Sequence, residues 1–167
     1  TGASPKTIPP LPVDEDLVIT SRQALEQTIL PSSALVVGGG AIGVEFASVY
    51  NSYGVDVTIV ELLPRLLPSE DEEISKQLER SLSKKGIKVM TGSKVIGMTR
   101  DGSVATVQVE QADGCAEVQC EKVLVAVGVQ GNINGIGLEE VNIATDGRFV
   151  QIDDGMATNV PWIYAIG

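Results

Sequence analysis

The chain has 167 residues, 43% hydrophobic and 20% charged, a length typical of one domain with a single core. Its 22 acidic and 12 basic residues give a net charge of -10, which argues against nucleic acid and against an anionic membrane surface as partners. No apolar run has the length of a membrane span, so we expect a soluble protein of the cytoplasm, or of the mitochondrial matrix if the source is eukaryotic.

The sequence contains no histidine. Histidine is the commonest general acid or base at neutral pH and the commonest metal ligand. We therefore expect no catalytic residue and no metal site in this chain, and we expect its chemistry to depend on a cofactor.

Residues 1–33 predict an extended lead-in followed by a short helix. Four prolines near the amino terminus disfavour regular structure. Thr20 and Ser21 then precede a helix-forming stretch that ends before Pro31. We expect this segment to pack on residues 34–167, with the whole chain forming a single domain.

The stretch after the lead-in alternates between strand and helix patterns. An apolar run predicts a buried strand at 34–37, and two further strands are predicted at 55–60 and 87–90. Two helices are predicted between them, at 41–53 with Gly54 as the cap, and from a capping box at 69–72 to the stop at Gly86. This order implies a parallel sheet with right-handed crossovers.

Helical spacing marks one apolar face on each of the two longer helices. The residues that carry the pattern are Ile42, Phe46, Val49 and Tyr53 in the first helix and Ile74, Leu78 and Leu82 in the second.

The pattern then changes to alternating residues at 104–109 and 116–127, joined by the turn Asp113-Gly114. Such runs predict antiparallel strands. A loop rich in Gly and Asn follows at 128–137, and the apolar run 162–166 predicts a final strand.

A glycine motif connects the first buried strand to the first long helix. Gly38, Gly40 and Gly43 satisfy G-x-G-x-x-G, with Ala41 and Ile42 between the last two glycines. The first glycine permits a tight turn, the second lets a pyrophosphate approach the backbone, and the third lets the helix pack closely on the sheet. The free N–H groups of the helix N-terminus favour phosphate binding.

Glu61 follows the second strand, 18 residues after Gly43. A carboxylate there can accept hydrogen bonds from the hydroxyls of an adenosine ribose, and its charge repels a 2′-phosphate. The motif and this acid together predict an NAD site in preference to an NADP site. The alternative for Glu61 alone is a solvated acid at a strand end.

With these motifs, the chain resembles the NAD domains of the flavoprotein disulfide reductase family, and the dihydrolipoamide dehydrogenases most closely. The matching stretches are 37–45, 60–61, 72–74, 137–141 and 160–167. The resemblance implies an α/β, Rossmann-like FAD/NAD-binding fold, with a central parallel sheet, an antiparallel β-meander crossover and helices.

The resemblance also implies roles for individual residues. Gly38, Gly40 and Gly43 would hold the NAD pyrophosphate and Glu61 the adenosine ribose. Glu45 matches a glutamate near the nicotinamide, and the alternative is an ordinary first-turn helix acid. Val95 and Gly128 match positions that line the NAD site, although a strand valine and a turn glycine are the simpler interpretation.

In that family, this domain is inserted between two parts of an FAD domain. The ends, Thr1-Gly2 and 164–167, resemble the family's boundary motifs, so we expect an excised piece that binds NAD, does not bind FAD and has no turnover of its own. The full-length enzyme would hold FAD and a dimerisation domain, form a homodimer, and serve a 2-oxoacid dehydrogenase complex.

Two other functions stay open. One is a stand-alone NAD-sensing module that regulates a partner. The other is the NAD domain of a different flavoprotein, such as a mercuric, glutathione-type or NADH:acceptor reductase. The segment 129–132 departs from the arginine and proline of many relatives, which weakens any assignment of substrate.

Cys115 and Cys120 have the spacing of the family's redox-active disulfide, but they fall on an alternating run. Five strand steps span roughly 16 Å and place the two side chains on opposite faces. A disulfide requires α-carbons within about 7 Å. We therefore expect two free thiols.

Overall fold

The computed structural model describes residues 2–166. They form two compact units: Lys6–Gly128, called the sheet unit, and 2–5 with 129–166, called the terminal unit. In this described part, no helix combines the length and the apolar character needed to cross a bilayer.

The elements in chain order are β1 (Ala3–Pro5), β2 (Val18–Thr20), α1 (Ser21–Glu26), β3 (Ser33–Val37), α2 (Ala41–Ser52), β4 (Asp56–Val60), α3 (Glu72–Lys84), β5 (Lys88–Met90), β6 (Lys94–Asp101), β7 (Val104–Gln111), β8 (Gly114–Cys120), β9 (Lys122–Val125), β10 (Val129–Gly131), β11 (Thr145–Asp146) and β12 (Phe149–Val150).

The sheet unit contains a parallel sheet of five strands in the order β2-β9-β3-β4-β5. In the central strand, Val36 is aligned with Ile59 on one side and with Leu124 on the other. The three strands predicted between residues 34 and 90 are confirmed to within a residue or two, and the predicted burial of the first is confirmed. The predicted α/β fold class, with a parallel sheet and antiparallel strands, is also confirmed.

Both faces of this sheet are covered, as a parallel sheet of aliphatic strands requires. Val36 and Ile59 point to a core shared with the helices, where Ala47 of α2 is buried. Leu35 points to the opposite core, where Val107 of the antiparallel strands is buried. Alternation along β3 therefore distributes its side chains between two cores.

Helix α1 begins as predicted. The Thr20 hydroxyl accepts from the N–H of Arg22, and the Gln23 side chain accepts from the N–H of Thr20, so the first turn is capped.

Helix α2 occupies the predicted span, but the face that it buries differs in part from the predicted one. Its buried residues are Gly43, Val44, Ala47 and Tyr50, whereas Tyr53 is 71% exposed and Val49 is 50% exposed. Phe46 packs partly against the core as predicted, but Val49 and Tyr53 do not, because the contact of Gly43 with the sheet fixes the rotation of the helix. Gly54 follows with φ +86, the conformation expected after a helix end.

Helix α3 begins later than predicted. Its N-cap is Asp71, whose carboxylate accepts from the N–H of Glu73 at 2.8 Å, so the predicted box from residue 69 was wrong. Ile74 is 57% exposed, while Ser75 is buried because its hydroxyl donates to the carbonyl oxygens of Leu67 and Asp71. Leu82 is buried and Leu78 packs against the same core, so the predicted face is correct except at Ile74.

Strands β6, β7 and β8 form an antiparallel sheet, and the predicted turn between β7 and β8 is confirmed. Strand β6 was not predicted, because a bulge between Val95 and Gly97 breaks its alternation. The prediction of a single strand at 116–127 was wrong. Strand β8 ends at Cys120, and the next strand, β9, belongs to the parallel sheet. Glu121 makes this switch, with its N–H donating to Ser33.

The two cysteines lie on β8 as predicted. Cys115 is exposed and Cys120 is buried, and both are free thiols. Burial raises the pKa of the Cys120 thiol to about 11.

In the terminal unit, β1 pairs with β10 and β11 pairs with β12, both antiparallel. The lead-in was thus extended as predicted, but its pairing was missed. The strand predicted at 162–166 was wrong: Trp162 is 78% exposed and Ile166 is 86% exposed, because a turn from Val160 to Ile163 redirects the chain. Thr1 and Gly167, invoked for the boundary motifs, lie outside the described residues.

Candidate functional site

The glycine turn begins at Gly38, directly after β3. Its φ is +111, which favours glycine, and its N–H donates to the carbonyl oxygen of Val60 at 2.8 Å. A β-carbon here would lie 2.3 Å from the carbonyl oxygen of Ala126. The conformation and the close approach of β9 therefore both require glycine.

Gly43 brings the helix close to the turn. A β-carbon at this position would lie 1.9 Å from the carbonyl oxygen of Gly38 and 3.3 Å from the side chain of Val36. The close helix packing predicted for this glycine is therefore present.

Gly40 differs from its neighbours because the space beside it is open. It is the N-cap of α2, no side chain caps the helix, and no atom lies within 4 Å of where its β-carbon would stand. Ala41 is exposed and Ile42 half-buried. Free N–H groups beside open space suit a pyrophosphate, since a helix N-terminus carries unpaired donors and partial positive charge.

Glu61 is the acid at the end of β4, and it is only 8% exposed. Its carboxylate accepts from the N–H of Gly39 and, at 2.7 Å, from the N–H of Leu63. It is therefore not the solvated strand-end acid of the simpler interpretation. A carboxylate offers about four lone-pair sites, so two are not used by these N–H groups.

Gly39 is a residue of the site that the motif left unassigned. Its N–H donates to Glu61, its carbonyl oxygen accepts from the N–H of Leu67 at 2.9 Å, and its α-carbon lies against the side chain of Leu66. A glycine at a variable position of the motif was the only sequence signal for it. Nothing in the sequence indicated Leu66 or Leu67.

Gly128 lies at the same edge of the sheet, shortly after the end of β9. The N–H of Ala126 donates to the carbonyl oxygen of Val37 at 2.8 Å, which places the end of β9 beside the end of β3. Gly128 follows with φ +103 and accepts from the N–H of Lys6.

The other two candidates are placed differently. Glu45 is exposed on the first turns of α2, whereas Val95 is 6% exposed and belongs to the core beneath the antiparallel strands. The N–H of Ser93, close to Val95 in sequence, donates to the carbonyl oxygen of Glu61 at 2.9 Å. Little of the Val95 side chain is open to a ligand, and the binding roles of both residues stay predictions.

The site therefore lies where the carboxyl ends of β3, β4 and β9 meet. The chain leaves β3 for β4 on one side and returns to pair with β3 through β9 on the other. In open α/β sheets, ligands bind in the crevice at such a switch point.

A cavity of about 300 Å³ lies elsewhere in the sheet unit. Asp56 and Lys88, at the starts of β4 and β5, line it together with residues of β8. Met90, at the end of β5, also lines it, but none of the candidate site residues does. In the range 2–166, no three His, Cys, Asp or Glu residues are grouped so that they could hold a metal ion.

Comparison with known proteins identifies relatives along the whole chain. The family model described as pyridine nucleotide-disulphide oxidoreductase matches residues 1–167. The dihydrolipoyl dehydrogenase of Bacillus subtilis is 43% identical over 169 residues, and that of Chlorobaculum tepidum is 46% identical over 170 residues. Each match covers 100% of this chain but 36% of the relative, so the chain spans about a third of their length.

Solved structures give the same result. LpdA from Mycobacterium tuberculosis superposes with a TM-score of 0.87 at 33% identity, covering 100% of this chain and 36% of that one. The HOCl-induced flavoprotein disulfide reductase RclA from Escherichia coli superposes with a TM-score of 0.80 at 30% identity, covering 100% of this chain and 38% of that one.

Proposed function

We propose, since the chain belongs to the pyridine nucleotide-disulphide oxidoreductase family, that it is the NAD-binding domain of a dihydrolipoamide dehydrogenase-type enzyme. One observation carries this proposal: the glycine turn, the uncapped start of α2 and the buried carboxylate of Glu61 meet at one edge of the parallel sheet. This combination suits the pyrophosphate and adenosine ribose of a dinucleotide.

The residues of the chain bind and orient the cofactor. The turn at Gly38 and Gly40 admits the pyrophosphate, and the N–H groups at the start of α2, from Ala41 to Gly43, donate to it. Glu61 accepts from the ribose hydroxyls and repels a 2′-phosphate, so NAD is preferred over NADP. When bound, NAD would supply the hydride acceptor for reduced FAD, which the rest of the parent enzyme would hold, during oxidation of dihydrolipoamide.

Glu45, near the nicotinamide, and Val95 and Gly128, lining the NAD site, complete the proposed site, although Val95 is only 6% exposed. Gly128 has the best structural support because the end of β9 lies beside the glycine turn. The proposed domain consists of residues 34–167, with 1–33 packed on it.

FAD, the dimerisation domain and the contact with a 2-oxoacid dehydrogenase complex belong to the rest of the parent enzyme in this proposal. The relatives support this division, since they are almost three times as long as the chain. We propose that the chain alone binds NAD, does not bind FAD and has no turnover.

A second candidate is the NAD domain of another flavoprotein disulfide reductase. The similarity to RclA, over the whole chain at 30% identity, favours it. The nucleotide site would be the same and the electron donor or acceptor different. Assays of the full-length parent with dihydrolipoamide and with other disulfide substrates separate the two candidates.

Calorimetric titration of the chain with NAD, NADP and FAD, each separately, tests the proposed function. We expect NAD to bind weakly, NADP to bind less well and FAD not to bind. Tight binding of FAD, or no binding of NAD, would contradict the assignment.

A further inference from the structure

The Gly39 peptide is held from three directions by the segment that follows β4. The Glu61 carboxylate accepts from its N–H, and the N–H of Leu67 donates to its carbonyl oxygen at 2.9 Å. The side chain of Leu66 fills the third direction: its Cδ2 lies 2.5 Å from where a β-carbon of Gly39 would stand. Leu66 is 0% exposed, so this contact is fully enclosed.

The segment that supplies these contacts is itself fixed in place. The Arg65 side chain donates to the carbonyl oxygen of Pro68 at 2.8 Å, and the Ser75 hydroxyl donates to that of Leu67 at 3.3 Å. At its start, the N–H of Gly92 donates to the carbonyl oxygen of Leu63 at 2.9 Å. Leu67 has φ +45, a conformation that a non-glycine residue keeps only where its surroundings hold it.

We propose that Leu66 is a positioning residue for the nucleotide site, which together with Glu61 and Leu67 holds the Gly39 peptide in its binding conformation before the ligand arrives. Gly39 immediately precedes Gly40, the open N-cap of α2. A fixed Gly39 peptide therefore fixes the direction of the first donors of the helix. The proposed function supplies the identity of the ligand, NAD, and this inference rests on it for that alone.

The physical effect is preorganisation. If the turn samples other conformations, the measured affinity falls in proportion to the fraction of molecules that can bind. Leu66 does not need to touch the nucleotide for this effect, because it acts through Gly39.

The test compares Leu66→Ala with Leu82→Ala, measuring NAD affinity by calorimetry. Leu82 is a suitable control because it is 2% exposed and belongs to the same core on the helix side of the sheet. We expect Leu66→Ala to weaken NAD binding by about fivefold or more, and Leu82→Ala to leave it within about twofold. Unchanged affinity in Leu66→Ala, or equal losses in the two variants, would overturn the proposal.

Hydrogen exchange of the Gly39 and Leu67 amides gives a second readout that needs no ligand. We expect both amides to exchange about tenfold faster in Leu66→Ala than in the matched core variant Leu82→Ala. Unchanged exchange of these amides would reject the positioning role even if the chain bound no NAD, so the two proposals fail separately. If Leu66→Ala does not fold, Leu66→Val and Leu82→Val make the same comparison with a smaller cavity.

Discussion

The backbone N–H of Gly39 donates to the carboxylate of Glu61, although the two residues are 22 positions apart. This bond connects the glycine turn with the strand-end acid, which the sequence presented as separate signals. The acid therefore contributes to the shape of the turn as well as to the surface offered to a ribose.

The first prediction concerns Glu61→Ala. The change leaves the N–H groups of Gly39 and Leu63 without their acceptor, and a buried unsatisfied donor costs about 1–3 kcal/mol. We expect a loss of about 2 kcal/mol or more in the free energy of unfolding, measured with urea. NAD affinity should also fall by about 1 kcal/mol or more, the scale of a hydrogen bond to a charged group.

Glu117→Ala is the control for that change, because Glu117 is an exposed acid on β8, outside the candidate site. It should leave both stability and NAD affinity near wild type. If Glu61→Ala bound NAD as well as the control does, Glu61 would have no place in the ribose site.

The second prediction separates two glycines of one motif. Gly40→Ala should lower the free energy of unfolding by about 1 kcal/mol or less, since the backbone of Gly40 is extended and the space beside it is open. NAD affinity should nevertheless fall, because the new methyl group enters the proposed phosphate space. Gly43→Ala should cost about 3 kcal/mol or more, because the new methyl group meets the backbone of Gly38. Urea unfolding and NAD titration of both variants measure these effects, and equal stability losses would contradict the distinction.

The third prediction concerns pH. Burial of Asp14 tends to raise its pKa, but backbone N–H groups, including that of Val18 at 2.8 Å, and the guanidinium of Arg100 at 3.0 Å together hold the pKa below its ordinary value of 3.8. A lowered pKa in the folded state adds stability above pH 3.8, and that contribution disappears as the pH falls through the folded-state value.

Urea unfolding of the wild type and of Asp14→Asn, from neutral pH to about pH 3, measures this contribution. The wild type should be the more stable of the two at neutral pH, and the difference should shrink below pH 4. A difference that grows as the pH falls would have the wrong sign for a lowered pKa.

The fourth prediction uses the two thiols. Cys115 is exposed, whereas Cys120 is buried and its pKa is raised to about 11, so little thiolate forms at Cys120 at pH 8. Iodoacetamide should label Cys115 in the folded chain and Cys120 only after unfolding, as read by fragmentation of the tryptic peptide 101–122, which carries both thiols. Protection of both thiols until a reductant is added would indicate a disulfide and contradict the strand geometry.

Sequence alone determined the order of strands and helices between residues 34 and 90, the glycine turn and the acid that follows it. These features depend on neighbours in the chain. Burial alternates along a strand, and a turn such as that at Gly38 needs a glycine whatever surrounds it. The patterns that predict these features therefore involve only residues that are close together in the chain.

The tertiary structure decided what depends on distant partners. The packing of Gly43 on the sheet determines which face of α2 is buried. The chain passes from the antiparallel sheet to the parallel sheet at Glu121, whose side chain accepts from the N–H of Ser32, 89 positions away. The tertiary structure also places Leu66 against Gly39. No periodicity in the sequence predicts such contacts, because they form between segments that are distant in the chain and pack together only in the folded protein.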